Sequence, residues 1–281
     1  MTATIKGEIK MIKMIIADMD GTSLNEKEDI TKGSINMIEK VLDSGRMFFF
    51  ASGRPVFGIK RKIRDAGLEG RIKYFIAYNG GVVYDVMNEK HLYEKNISFD
   101  IINSVYEIIN KKDLDVCLCL HHNDTIYVTK DAEEIRTEAE SNHQKMIYLE
   151  NLESIKDIKF MKILLIAENK KLKNASEELR KSPIGNEIKM MFSLDMLLEI
   201  LPHDSDKSVA LRWLADYLNI SLEDILAVGD AENDIEMLKE AGIGVAMSNA
   251  YEHVKEIADY VTEHSNNEDG LVEAVEKFVS L

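Results

Sequence analysis

Met14-Ile15-Ile16-Ala17-Asp18-Met19-Asp20-Gly21-Thr22 decides the fold, because a short apolar run passes directly into two acids and a glycine. A bounded apolar run of this length reads as a strand buried on both faces, the kind found in parallel sheets. Open α/β sheets carry their chemistry just beyond the carboxyl ends of such strands. Asp18 and Asp20 therefore bring two carboxylates to a sheet edge, beside a glycine that permits a sharp turn. Paired carboxylates can hold a divalent cation, and one can attack an electrophile while the other moves a proton. The same residues also make a plain acidic turn, since Asp and Gly are common turn formers.

Working outward, strand and helix signals alternate through the first third. Ile35, Ile38, Val41 and Leu42 mark a helix closed by Gly45. Met47 to Ala51 reads as a second buried strand, Pro55 opens a helix carrying Val56, Ile59 and Ile63, and Tyr74 to Tyr78 is a third strand. The last third repeats this pattern: a helix with Val209, Trp213, Leu214 and Leu218, a strand at Ile225 to Gly229, a helix at Asp234 to Ala241, and strands at Ile243 to Met247 and Ala258 to Thr262. Repeated βαβ units imply a parallel sheet with right-handed crossovers.

Between these thirds the pattern changes. A helix through Ile101, Ile102, Val105, Ile108 and Ile109 precedes a hairpin turning at His122-Asn123-Asp124, and further strands are expected at Phe160 to Ala167, Ile188 to Phe192 and Met196 to Leu201. An amphipathic helix covers Lys171 to Lys181. The expected organisation is a Rossmann-like parallel-sheet α/β core, residues 1–81 and 202–281, interrupted by an inserted α+β cap domain, residues 82–201.

The chain has 281 residues, 45% of them apolar and 30% charged, with three prolines and no low-complexity tract. That suits a globular protein with a substantial core and argues against disordered linkers. A formal net charge of −15 disfavours nucleic acid and anionic membrane surfaces as partners. No run is long enough to span a bilayer and no secretory signal is evident, so a cytoplasmic location is expected. No obligate protein partner is evident. Cys117 and Cys119 lie two apart in an apparent strand, about 7 Å from each other along one face, too far for an unstrained disulfide. With His121 they form a conceivable metal site; packing as small hydrophobes is the expectation.

Three further features join Asp18 and Asp20. Ser52 ends the second strand, and its hydroxyl, with neighbouring backbone N–H groups such as that of Gly53, can hold a phosphate oxygen; it can equally cap the helix that Pro55 enters. Lys207 opens the helix after the inserted segment, against the usual helix-dipole preference, which hints at an anion. Asp230, in Gly229-Asp230-Ala231-Glu232-Asn233-Asp234, ends another apolar strand and can complete an oxygen-rich Mg2+ site with Asp18 and the carbonyl of Asp20. Asn233 and Glu236 have the spacing of a capping box, and a cap at Asn233 or Asp234 is expected alongside the metal role. A hard cation and a lysine neutralise a phosphoryl group, small donors position it, and a carboxylate attacks it.

With these residues in place, the chain resembles the haloacid dehalogenase-type phosphatases, specifically the Cof-type group with a large cap. Asp18 to Thr22, Ala51 to Pro55, Lys207 and Gly229 to Leu238 carry the likeness, together with Val245 to Ala250 and Asp269-Gly270. Ser208 and Ser248 stand where that group usually has glycine. The resemblance implies Asp18 as nucleophile and Asp20 as general acid and base. It implies Mg2+ held by Asp18, Asp20 and Asp230 with support from Asp234, and a phosphoryl group held by Ser52, Gly53, Lys207 and Asn233. The implied activity is hydrolysis of small phosphorylated metabolites, sugar phosphates above all, through an aspartyl-phosphate. A phosphosugar mutase on the same scaffold and a catalytically idle phosphate-binding module are the alternatives. The inserted domain is implied to read the leaving group, with His121, His122, Tyr127 and Arg54 as candidate contacts.

Overall fold

In a computed structural model of the chain, residues 11–122, 125–131, 133–141 and 144–281 are described. Asn123 and Asp124 of the expected hairpin turn lie outside them. The order is β1 (Met14–Asp18), α1 (Lys32–Asp43), β2 (Met47–Ala51), α2 (Val56–Asp65), β3 (Tyr74–Ala77), β4 (Val82–Asp85), β5 (Lys90–Glu94), α3 (Phe99–Lys111), β6 (Cys117–His122) and β7 (Thr125–Val128). There follow α4 (Glu133–Ser141), β8 (Lys145–Tyr148), β9 (Ile163–Ile166), α5 (Asn169–Lys181), β10 (Ile188–Leu194), β11 (Leu197–Pro202) and α6 (Lys207–Leu218). The chain closes with β12 (Ile225–Gly229), α7 (Ile235–Glu240), β13 (Ile243–Ala246), α8 (Glu252–Lys255), β14 (Tyr260–Val261) and α9 (Gly270–Phe278). Two compact units result: one of the described residues through Ser52 with Lys62–Phe75 and Leu211–Leu281, the other of Gly53–Arg61 and Ile76–Ala210.

In the first unit the strands run β14-β13-β12-β1-β2, every neighbouring pair parallel. All five residues of β1 and of β12 are buried, which is why their sequences are continuous apolar runs rather than alternating ones. Register is what matters for the site. Asp18 pairs with Ala51 and Ala17 with Val228, so β1, β2 and β12 end level with one another. The next polar residues along, Ser52 and Asp230, therefore emerge beside Asp18. The helix α1 is capped at its start by Thr31, which accepts from the Ser34 amide at 3.1 Å, a cap whose loss typically costs about 1 kcal/mol. It ends at Ser44, with Gly45 following at φ +82°.

The second unit holds a six-stranded sheet, β10-β11-β9-β6-β7-β8, antiparallel except for the β7/β8 pair. Alternation sorts its two faces. Leu118, Leu120, Ile163 and Leu165 pack with Ile102 and Val105 of α3 and Leu172 and Leu179 of α5. Cys117, Cys119, Leu164 and Ile166 face the other way, onto Ile135 and Ala139 of α4. Neither cysteine is in a disulfide, and both pack in the apolar cluster as small hydrophobes, with Cys119 Sγ 3.6 Å from His121 Nε2. His121 is fully buried, and burial, with Lys162 nearby, keeps its imidazole neutral. No helix among the described residues is long and apolar enough to cross a membrane.

Candidate active site at the ends of β1, β2 and β12

Asp18 is the last residue of β1 and is buried; Asp230, one residue beyond β12, is half-buried. Asp234 is completely buried in the single 3-10 turn, Glu232–Asp234, that leads into α7. One carboxylate oxygen from each of these three aspartates lies within 4.8 Å of the others. Like charges at that spacing repel by about 3 kcal/mol per pair at an effective dielectric constant near 20. An all-oxygen carboxylate set of this kind fits a hard divalent cation, which would convert the repulsion into attraction.

Each acid is fixed by its neighbours. Thr22, itself buried, donates from Oγ1 to Asp230 Oδ1 at 2.8 Å. Asp234 Oδ2 accepts the backbone N–H groups of Asp230 and Ala231, both at 3.1 Å, so Asp234 closes the turn that presents Asp230. Asp234 thus caps the 3-10 turn by accepting the Ala231 amide, one of the two positions, Asn233 or Asp234, at which a cap is expected. Asp18 is held through its carbonyl, which accepts from Ser23 Oγ at 2.6 Å and the Ser23 amide at 3.2 Å. Asp20 is exposed, and its backbone makes a bridge with Leu24. It is the acid of this group with open access to water.

Ser52 follows β2 and is fully buried, and Asn233 is half-buried in the turn beside Asp234. In the second unit, Gly53 is partly exposed and lies close to Asn79, so that a Cβ there would come 3.1 Å from the Asn79 amide. Lys207 is the first residue of α6 and entirely buried. The N-terminus of α6 is built around Asp206, whose carboxylate accepts the Ser208 amide at 2.9 Å and pairs with Lys189 at 2.7 Å. Burial pushes the Asp206 carboxyl up, but Lys189 and the Ser208 amide outweigh it and hold it below the usual range. Ser208 therefore supplies a backbone donor to the Asp206 carboxylate.

Sequence reasoning passed over Thr22, Ser23 and Asn249 as working parts. Thr22 and Asn249 lie inside motifs already singled out, but their roles rest on partners more than two hundred residues away: Thr22 on Asp230 and Asn249 on Gly21, whose carbonyl accepts from Asn249 Nδ2 at 2.7 Å.

A haloacid dehalogenase-like hydrolase family model matches residues 15–275. The 5-amino-6-(5-phospho-D-ribitylamino)uracil phosphatase YcsE of Bacillus subtilis is 30% identical over 95% of this chain and 96% of its own length. The HMP-PP phosphatase of Yersinia enterocolitica is 28% identical over 88% of this chain and 87% of its own. Among solved structures, TM0651 from Thermotoga maritima superposes with a TM-score of 0.86 at 32% identity, covering 96% of this chain and 98% of that one.

Proposed function

The chain belongs to the haloacid dehalogenase-like hydrolases and is a phosphatase of the Cof type, and within that family we propose a Mg2+-dependent phosphomonoesterase of small phosphorylated metabolites, sugar phosphates in particular. The observation that carries the reading is the convergence of Asp18, Asp230 and Asp234 at one sheet edge. Asp18, Asp230 and the Asp20 carbonyl, with Asp234 in support, would hold Mg2+, which would supply charge that offsets repulsion between a carboxylate and a phosphate dianion.

Asp18 attacks phosphorus in line, and the ester oxygen leaves with a proton from Asp20, giving an acyl phosphate on Asp18. Asp20 then takes a proton from the water that cleaves that acyl phosphate, and inorganic phosphate departs. The burial of Asp18 and the exposure of Asp20 support this division, since a nucleophile gains from exclusion of water and a proton carrier needs exchange with it. Ser52, Gly53, Lys207 and Asn233 are assigned to the transferring phosphoryl oxygens. For Lys207 the support is its motif and its complete burial, which an ammonium tolerates only with polar or charged partners. Residues 82–201 are assigned as the cap that selects the ester, and the cytoplasm as the working compartment.

Turnover of a panel of phosphate esters, with and without Mg2+, tests the reading. Asp18→Asn should abolish phosphate release with the fold intact by circular dichroism. Metal-dependent release by that variant at the wild-type rate would remove Asp18 as nucleophile.

A further inference from the structure

The loop that carries Asp20 is tied down from the far end of the chain. Asn249 donates from Nδ2 to the Gly21 carbonyl at 2.7 Å, and its Oδ1 accepts the Asn266 amide at 3.0 Å. Asn266 in turn donates from its own Nδ2 to the Leu24 carbonyl at 2.8 Å, and Asn267 Oδ1 accepts the Glu26 amide at 2.9 Å. Asp20 immediately precedes the first of the two anchored carbonyls, that of Gly21, and its backbone bridges to Leu24, which carries the second. The other end of the tie is equally defined. Residues 247–251 are hydrogen-bonded to the end of β12, through the Met247 amide to Gly229 at 3.0 Å and the Tyr251 amide to Asp230 at 3.2 Å.

We propose that Asn249 and Asn266 form an amide relay that holds the Asp20 loop in register with Asp230, and that both are positioning residues for proton transfer by Asp20. The inference rests on the assignment of Asp20 as general acid above. Chemistry fixes the direction of the relay. The Asn266 N–H can only donate, so it selects the oxygen of the Asn249 amide and leaves the NH2 for Gly21. Carboxylates cannot replace either amide, because each must donate to a carbonyl. Each bond is individually modest, two of them exposed and that of Asn266 to Leu24 part-buried, but the three close a cycle around one loop, which restricts it more than any single bond does.

The test uses the full chain with Mg2+ and two esters, an alkyl phosphate whose leaving oxygen needs a proton and an aryl phosphate whose leaving oxygen does not. Asn249→Ala and Asn266→Asp should each lower kcat/KM about tenfold or more on the alkyl ester, against less than about threefold on the aryl ester, as expected when a general acid is displaced rather than lost. Amide hydrogen exchange at Ser23, Leu24 and Glu26 should quicken in both variants, with the β1 amides unchanged. Equal losses on both esters, or unchanged exchange in the loop, would overturn the relay. Asp20→Asn is the reference: it must show the same preference for the aryl ester. If it lowers both esters alike, the acid assignment fails and the positioning role falls with it, whatever the exchange data show.

Discussion

Gly21 lies directly against the Asp230 carboxylate: a Cβ on residue 21 would overlap the Asp230 side chain, and the φ of +79° at Gly21 is one that other residues adopt only with strain. The turn after β1 and the acid after β12 thus share one small volume, and the glycine sets how closely they approach.

Gly21→Ala should accordingly damage function more than stability. The left-handed backbone costs about 1–3 kcal/mol, within what a domain can absorb. Displacing Asp230 by about 1 Å can cost on the order of 100-fold in rate. Steady-state rates and a Mg2+ titration check this together: kcat should fall by that order, and half-saturation should move to higher Mg2+. Wild-type cation affinity in Gly21→Ala would show that Asp230 does not hold the ion.

Clustered acids also predict a sign reversal in thermal stability. Without cation, Asp230→Asn should melt higher than the wild type, because one of the three mutually repelling carboxylates is gone while the Thr22 bond to Oδ1 survives. With Mg2+ at about a hundredfold over its Kd, the wild type should gain about 2.7 kcal/mol, roughly 5 °C in Tm, and the variant little. Differential scanning calorimetry in chelator and in Mg2+ reads both effects.

Strands such as β1, β2 and β12 were legible because burial on both faces forces an apolar run, and polar residues interrupt it only where the sheet ends. The segments Met47–Ala51 and Ile225–Gly229 fall at the expected residues for that reason. Pairing register is another matter: nothing in the one-dimensional pattern says that Asp18 stands level with Ala51, yet that level places Ser52 and Asp230 beside it. Elements with weak burial were also missed. The strand β8 is largely exposed, and α4 buries Ile135 and Ala139 in a mostly polar helix, so neither shows a clear period. The hairpin β4–β5 was hidden in the same way, since β5 is only half-buried. Side-chain to backbone ties such as Asn249 to Gly21 leave no periodic trace at all.

The start of α6 offers a test of Lys207 that leaves the lysine untouched. Gly80, at φ +94°, packs against the backbone of Asp206 and Lys207, and a Cβ there would overlap the Asp206 carbonyl. Gly80→Ala should shift the first turn of α6 and weaken inhibition by inorganic phosphate about tenfold, in the same direction as Lys207→Met. Product-inhibition constants measure it. An unchanged constant in Gly80→Ala alongside a large change in Lys207→Met would mean the helix start tolerates the displacement.

Glu273 in α9 gives the clearest pH dependence. Burial pushes its carboxyl up, but the Glu263 amide, the Tyr260 hydroxyl and the His264 amide and ring outweigh burial and hold it at about 2, against an ordinary 4.5. Tyr260 donates to it at 2.7 Å and His264 Nδ1 lies 2.8 Å away; the carboxylate in turn raises the His264 imidazole. A depressed carboxyl stabilises the fold above its unfolded value and loses that contribution as pH falls toward the folded one. A raised histidine does the opposite, contributing below its unfolded value and fading as pH rises through the folded one. Both contributions are full only between about 4.5 and 6.5. Glu273→Gln should therefore cost about 1–3 kcal/mol, most of all in that window, with the gap to wild type narrowing steeply below it and only partly above it. Urea midpoints from about pH 3 to about pH 8 trace this profile. A gap independent of pH would mean that neither ionisation contributes.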